Sequence, residues 1–380
     1  MKRLLLLPLA LLAACHSDTK TSATAAAPPA DRPAAAPGSV APADSPGTSY
    51  RIYRGLLPGT TDSLTLHLVQ GPSTGDTELN GTFASYADAS GQPFQLVQRS
   101  GPADSLLLED ISSGPLWRLK RQGNLLVGTL GGRPLRLQQV RPKGSLAFSV
   151  RQFSDSIAAY AGKESSPYAH LSLQAVLPAQ GPPMLTDNIL RELHGDTLDT
   201  QPVVGPEQQW EQLRQQFTKG YREDAASLRD KDTPGYALRY ESQQAAYVLW
   251  NQAPLLSLAV LSYDYSGGAH GNYGTTVASY NTRTGQRLRF SDVFRPGAET
   301  QLSPILDRAV RRTLHLPADE ALDQTLSVKT MPVTHNFYLT SGGAVFVYSP
   351  YEIASYAQGE IHIFVPMREL EAVLLAPKAV

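Results

Sequence analysis

Residues 116–140, LWRLKRQGNLLVGTLGGRPLRLQQV, decide the class of the first folded region. Leu135 and Leu137 alternate with Arg136 and Gln138, and glycine punctuates the run, which is the period-two signature of short half-buried strands. The pattern extends back to Tyr50. Leu64, Leu66 and Leu68 alternate with Thr65 and His67, and Leu79-Asn80-Gly81-Thr82 is echoed by Leu126-Val127-Gly128-Thr129. Strands are expected near Tyr50–Arg54, Leu64–Val69, Glu78–Tyr86, Phe94–Gln98, Leu106–Glu109, Leu116–Leu119, Leu125–Leu130 and Leu135–Val140. Such a series suits an antiparallel meander that closes into a small barrel.

Beyond Lys143-Gly144 strand and helix patterns intermix without βαβ regularity, so the fold class is α+β. Leu146–Val150 and His170–Val176 read as strands, and Thr186–Leu193 as a short helix capped by Thr186 or Asp187. Trp210, Leu213, Phe217, Tyr221, Ala225 and Leu228 step by three or four along one helical face. Tyr236–Tyr240, Ala245–Trp250, Leu255–Tyr265 and Val277–Thr282 follow as strands. A second amphipathic helix carries Leu302, Ile305, Leu306, Ala309 and Val310, with Pro304 tolerable only in its first turn. Phe337–Leu339, Ala344–Tyr348 and Ile361–Val365 are the last strands.

The other end of the chain has a different character. Lys2-Arg3, the apolar run Leu4 to Leu12 and Leu12-Ala13-Ala14-Cys15 read as a signal peptide over residues 1–14, and the last four resemble a bacterial lipobox. That resemblance implies acylation of Cys15, with several acyl chains holding the protein to a membrane. From His16 to Gly47 ten Ala, six Pro, four Ser and three Thr leave nothing to build a core, so residues 15–47 read as a lipidated, disordered tether. As a coil it reaches on the order of 30 Å. Cys15 is the single cysteine, which excludes intramolecular disulfides and cysteine-based zinc sites. Thirty-three basic residues against 34 acidic ones remove the electrostatic case for nucleic acid.

Two polar clusters are candidate binding surfaces. Tyr263-Asp264-Tyr265 leads into a glycine-rich turn with His270 and Asn272, where either positive φ or a close approach needs glycine. The bland reading is a turn whose His and Asn bond their own backbone. Tyr351-Glu352 and Tyr356 form the second cluster, and tyrosine offers large contact area at low entropic cost, in a core or on a ligand surface alike. Gly71-Pro-Ser-Thr-Gly75 matches the serine-hydrolase elbow formally, but it lies between strands rather than before a helix. No spaced metal motif or phosphate loop occurs, so no metal, cofactor or catalytic residue is assigned.

Tyr265-Ser-Gly-Gly-Ala-His-Gly-Asn272, Tyr280-Asn-Thr-Arg-Thr-Gly285, Phe290-Ser-Asp-Val-Phe294 and Tyr351-Glu-Ile-Ala-Ser-Tyr-Ala-Gln-Gly359 together resemble the extracellular domain of the RsiV family, lysozyme-receptor anti-sigma factors. The same domain accompanies PdaC-type polysaccharide deacetylases. The resemblance implies an α+β envelope-facing binding domain over residues 251–376, with 144–250 as its companion and the meander over 50–141 outside it. It implies a lysozyme-like protein or peptidoglycan as partner. The sigma-binding segment and the deacetylase motifs of those proteins have no counterpart in this sequence. Two other functions stay open at this point: a hydrolase with His270 as base and Asp264 as its orienter, and an assembly partner in the envelope.

Overall fold

The computed structural model describes residues 44–72, 81–99, 105–110, 114–195, 202–228 and 235–375. Cys15, the leader and most of the tether lie outside them, as do Ser73 to Gly75. Eight strands come first: β1 (Ser49–Leu56), β2 (Ser63–Gln70), β3 (Phe83–Ala87), β4 (Pro93–Gln98), β5 (Leu106–Asp110), β6 (Trp117–Gln122), β7 (Leu125–Leu130) and β8 (Arg133–Val140). Each pairs antiparallel with the next and β1 pairs with β8, closing the ring. Leu64, Leu66, Leu68, Trp117, Leu119, Leu135 and Leu137 fill the interior, as the alternation requires.

The outward face of β2 and β3 is buried as well, because it docks on the next layer. Val69 and Phe83 belong to the core of the central sheet rather than of the barrel. His67 is stapled there, its Nδ1 2.9 Å from the Tyr50 hydroxyl, which also accepts from Asn251 Nδ2 at 3.1 Å. Burial, helped by the Arg54 charge, pushes the His67 imidazole down to about 3, so it stays neutral.

That layer comprises β9 (Phe148–Ala158), β10 (Tyr168–Pro178), α1 (Pro183–Leu193), α2 (Pro206–Leu228), β11 (Tyr240–Gln252), β12 (Leu255–Ser266), β13 (Asn272–Asn281) and β14 (Arg287–Leu288). Its sheet order is β14-β13-β12-β11-β10-β9, antiparallel except between β10 and β11, where the two helices supply the crossover that a parallel pair needs. Asp44 and Ser45, tether residues by composition, bind the edge of β9: Ser45 N donates to Val150 O at 2.9 Å and Val150 N to Asp44 Oδ1 at 2.7 Å.

The chain continues through α3 (Phe290–Val293), α4 (Glu299–Leu314), β15 (Phe337–Leu339), β16 (Gly343–Tyr348), β17 (Ile361–Pro366) and α5 (Met367–Leu370). β15, β16 and β17 form a second, antiparallel sheet. The Asn336 amide ties it to β13 by accepting from Val277 N at 2.9 Å and donating to Thr275 O at 2.8 Å, as a paired strand would. The β15–β16 turn meets the barrel's β3–β4 turn glycine against glycine: a Cβ on Gly91 would lie 2.7 Å from Gly342 N. The whole is α+β.

Local readings change in four places. The strand expected over Glu78–Tyr86 is β3, Phe83–Ala87, and residues 78–80 lie outside the described ones. α1 starts at Pro183 after Pro182, not at Thr186 or Asp187, because a proline's fixed φ and missing N–H suit a first turn. Tyr236–Tyr240 and Ala245–Trp250 are not two strands. A 3-10 turn, Gly235–Leu238, precedes the single strand β11, whose polar first part is accommodated by bonds such as Gln209 Nε2 to Gln244 Oε1 at 3.4 Å. Pro304 lies in the second turn of α4, so the Thr300 carbonyl lacks the usual helical donor.

Candidate functional site

Strand parity on β12 separates residues that are neighbours in sequence. Tyr263 and Tyr265 face the barrel side of the sheet, while Ser262 and Asp264 face the helix side. The hairpin to β13 turns through Gly267 and Gly268, at φ of 84° and 110°, and Tyr265 donates to Gly268 O at 3.0 Å. Gly271 is glycine for a different reason: a Cβ there would lie 2.5 Å from the Tyr263 ring. Its carbonyl accepts from His270 Nδ1 at 2.8 Å and from the Tyr356 hydroxyl at 2.7 Å.

That carbonyl joins the two sequence clusters. His270 stacks on Tyr356 with ring centroids 3.9 Å apart, Tyr273 meets Tyr356 edge-on at 5.8 Å, and Tyr351 lies 5.7 Å from it, tilted by 34°. Tyr351 is 62% exposed and sits at φ 70°. The result is a ledge of stacked rings built from residues some eighty positions apart. Asp264, Asn272 and Glu352 are not part of it. They line a groove of about 770 Å³ on the helix side with Arg287, and Glu352 Oε2 accepts from Ser349 N at 3.0 Å, closing its own turn. Asp264 therefore does not orient His270, whose Nδ1 is bound to backbone, and the base–orienter pair is not formed.

Beneath the ledge a cleft of about 400 Å³ opens between barrel and sheet, lined by Phe83, Gln95, Tyr247, Tyr263, Tyr273 and Glu360. Glu360 was not singled out from the sequence. On β17 Ile361, Ile363 and Val365 point into the core, so Glu360 and His362 face the cleft side. Glu360 Oε1 accepts from Thr275 N at 2.5 Å and Oε2 from Thr275 Oγ1 at 2.7 Å. His362 Nε2 lies 3.5 Å from Glu360 Oε2, while its Nδ1 is 3.1 Å from Gln95 Nε2. Gln95 Oε1 in turn accepts from the Tyr247 hydroxyl at 2.8 Å. Burial and the Glu360 charge push the hydroxyls of Tyr247 and Tyr273 above their ordinary range, so both remain donors. The alternation Glu360-Ile361-His362 in an apolar strand was the one sequence signal for this network.

Tyr263 also walls a second hollow of about 910 Å³, which runs past Tyr265 and His270 to Tyr168 and His170. Hollow and cleft share Tyr263 on the barrel side of the sheet, with His270 of the ledge lining the hollow and Tyr356 lining the cleft, and together they form the aromatic groove. Among the described residues no three His, Cys, Asp or Glu side chains are grouped to hold a metal ion. The groove can stack rings and bond hydroxyls.

Residues 291–368 match the family model described as a protein of unknown function, DUF3298, and residues 184–273 match the one described as deacetylase PdaC. Among solved structures, a DUF3298 family member from Bacteroides fragilis aligns with a TM-score of 0.55 at 23% identity, covering 62% of this chain and 96% of its own. A DUF3298 family protein from Pseudomonas aeruginosa aligns with a TM-score of 0.43 at 19% identity, covering 60% and 94%. No curated protein matches the chain. The barrel, β1 to β8, lies outside both matched segments.

Proposed function

We propose that the chain is a lipid-anchored cell-envelope protein that binds a cell-wall glycan strand along the aromatic groove. The observation that carries this reading is the joining of Tyr263–Tyr273 to Tyr351–Glu360 through the Gly271 carbonyl, which places His270, Tyr351 and Tyr356 as one ledge over a cleft. Sugar rings offer apolar faces to such a ledge and hydroxyls to Glu360, Gln95 and the tyrosines, and an open groove suits a polymer better than a small ligand.

The test is binding of the folded unit to solubilised peptidoglycan fragments, with c-type lysozyme as the competing protein ligand. Tyr351→Ala and His270→Ala are each expected to weaken glycan binding about tenfold, the usual size for losing an aromatic contact at the centre of a site. Lysozyme binding without glycan binding would replace the glycan by a protein ligand. Binding of neither would overturn the groove as a site for envelope ligands.

The anchor is tested separately. Cys15→Ala is expected to abolish incorporation of labelled fatty acid and to move the protein into the soluble fraction under a high-salt wash that screens surface charge. Labelling equal to that of the unsubstituted protein would overturn the anchoring.

A further inference from the structure

The barrel has its own charge pattern. Between Ile111 and Ser154 the chain has eight basic residues and no acidic one. β6, β7 and β8 fold most of this stretch into three adjacent strands whose Leu119, Leu126, Leu135 and Leu137 point inward, so Arg118, Lys120 and Arg136 point outward. Register places Lys120 opposite Val127 and Val127 opposite Arg136, with Arg118 opposite Thr129 one step along. On the next strand Arg54 lies opposite Gln138. Gly55 packs so closely that a Cβ on it would lie 2.6 Å from the Arg136 carbonyl, which brings Leu56, 56% exposed, beside the cations. Arg133 stands at the β7–β8 turn. Arg54, Arg118, Arg133 and Arg136 form no ion pair among the described residues, and Asp62 is the single carboxylate on β1, β2, β6, β7, β8 and the turns within β1–β2 and β6–β8.

This wall faces away from the rest of the molecule. β2 and β3 carry the contact with β11, and in a ring of eight strands β6 and β7 lie across from them. A gently curved array of cations around one exposed leucine has the features of an interfacial membrane contact: charges for phosphate headgroups and a small apolar group for the acyl boundary. No aromatic side chain is interleaved among the outward residues of β6 to β8, so the stacking platform that single-stranded nucleic acid uses is missing from this wall.

We infer that the barrel wall formed by β6, β7, β8 and the end of β1 docks on anionic phospholipid headgroups, with Arg118, Lys120, Arg136 and Leu56 as its contacts. The inference does not rest on the glycan groove, which lies on another face, nor on Cys15. The barrel is then the part that sets the protein against its membrane, and the groove is turned outward.

The test uses Val40–Val380, which forms one compact unit and holds all four apolar cores, so that no acyl chain or leader contributes. It is sedimented with vesicles of phosphatidylcholine alone and with vesicles containing phosphatidylglycerol. Partition into the anionic vesicles only is expected, falling as salt rises. At about fivefold per cation, Arg118→Gln/Lys120→Gln/Arg136→Gln should weaken it on the order of a hundredfold. Circular dichroism and the thermal midpoint should not move, because these side chains are exposed. Equal partition into both vesicle types, or a triple variant that binds as well as the parent, would overturn the inference. So would tighter binding to duplex DNA than to anionic vesicles at the same salt, which would make the wall a general polyanion face.

Discussion

Arg287→Ala is expected to destabilise the protein by about 3–5 kcal/mol at neutral pH, the usual cost of stranding one partner of a buried ion pair. Arg287 Nη2 lies 2.9 Å from Glu192 Oε2, and the Glu192 side chain is only 4% exposed. Burial pushes the Glu192 carboxyl above its ordinary range while Arg287 pulls it back. Removing Arg287 leaves burial unopposed and the folded pKa rises further. A carboxyl whose folded pKa exceeds its unfolded value binds its proton more tightly in the fold, so stability falls as pH rises through that interval and is fullest below the unfolded value. The deficit of the variant should therefore shrink as pH falls below about 4, where the carboxyl becomes protonated in both states. Adding Glu192→Gln should recover most of the loss at neutral pH. Urea unfolding at two pH values checks this, and a deficit that is independent of pH and unrelieved by Glu192→Gln would show that Arg287 acts through packing alone.

Phe346→Ala should cost about 3–5 kcal/mol as well, for a different reason. Phe346 is fully buried between Phe337, 5.9 Å away, and Phe294, 6.0 Å away, with Ile363 across the strand pair. The cavity left behind would sit under α4, with rigid strands on its other side. Its neighbours on β16 extend the consequence: Val345 and Val347 point the opposite way, into the core that also takes Val69 and Phe83 from the barrel. The three layers should therefore unfold together. Calorimetry is expected to give one transition at a lower temperature, and a split into two would show that the barrel keeps its structure without the C-terminal sheet.

Most of the barrel was legible because strands such as β5, β6 and β8 have one wet and one dry face, and period-two alternation reports that directly, whereas β3, buried on both faces, was expected over Glu78–Tyr86 and runs over Phe83–Ala87. The same reasoning blurred Tyr236–Trp250, where the half-buried polar start of β11, Glu241–Gln244, runs on without a break into the fully buried apolar half of the same strand. At the candidate site, sequence singled out both tyrosine clusters and gave no hint that they meet, since contact between Tyr356 and Gly271 is set by how the second sheet docks on β13. It paired Asp264 with His270 on proximity along the chain, which strand parity undoes. Glu360 escaped notice because a lone acidic residue at the start of a strand resembles a solvated one, and only the docking of Thr275 and Gln95 around it and His362 makes it a buried carboxylate.

The short run from Asp44 to Thr48 has a mechanical consequence. It is fastened to β9 by a few bonds around Val150 and Gln152, including Thr48 Oγ1 to Val150 O at 2.8 Å and Gln152 N to Ser45 Oγ at 3.0 Å. A pull on the preceding chain loads these bonds first and one after another, as a zipper opens. Only afterwards does force reach β1, whose rows of bonds to β2 and β8 lie across the direction of pull and share the load together. If the protein is anchored as proposed, the strap yields before the barrel does, freeing a few more residues while every sheet stays closed.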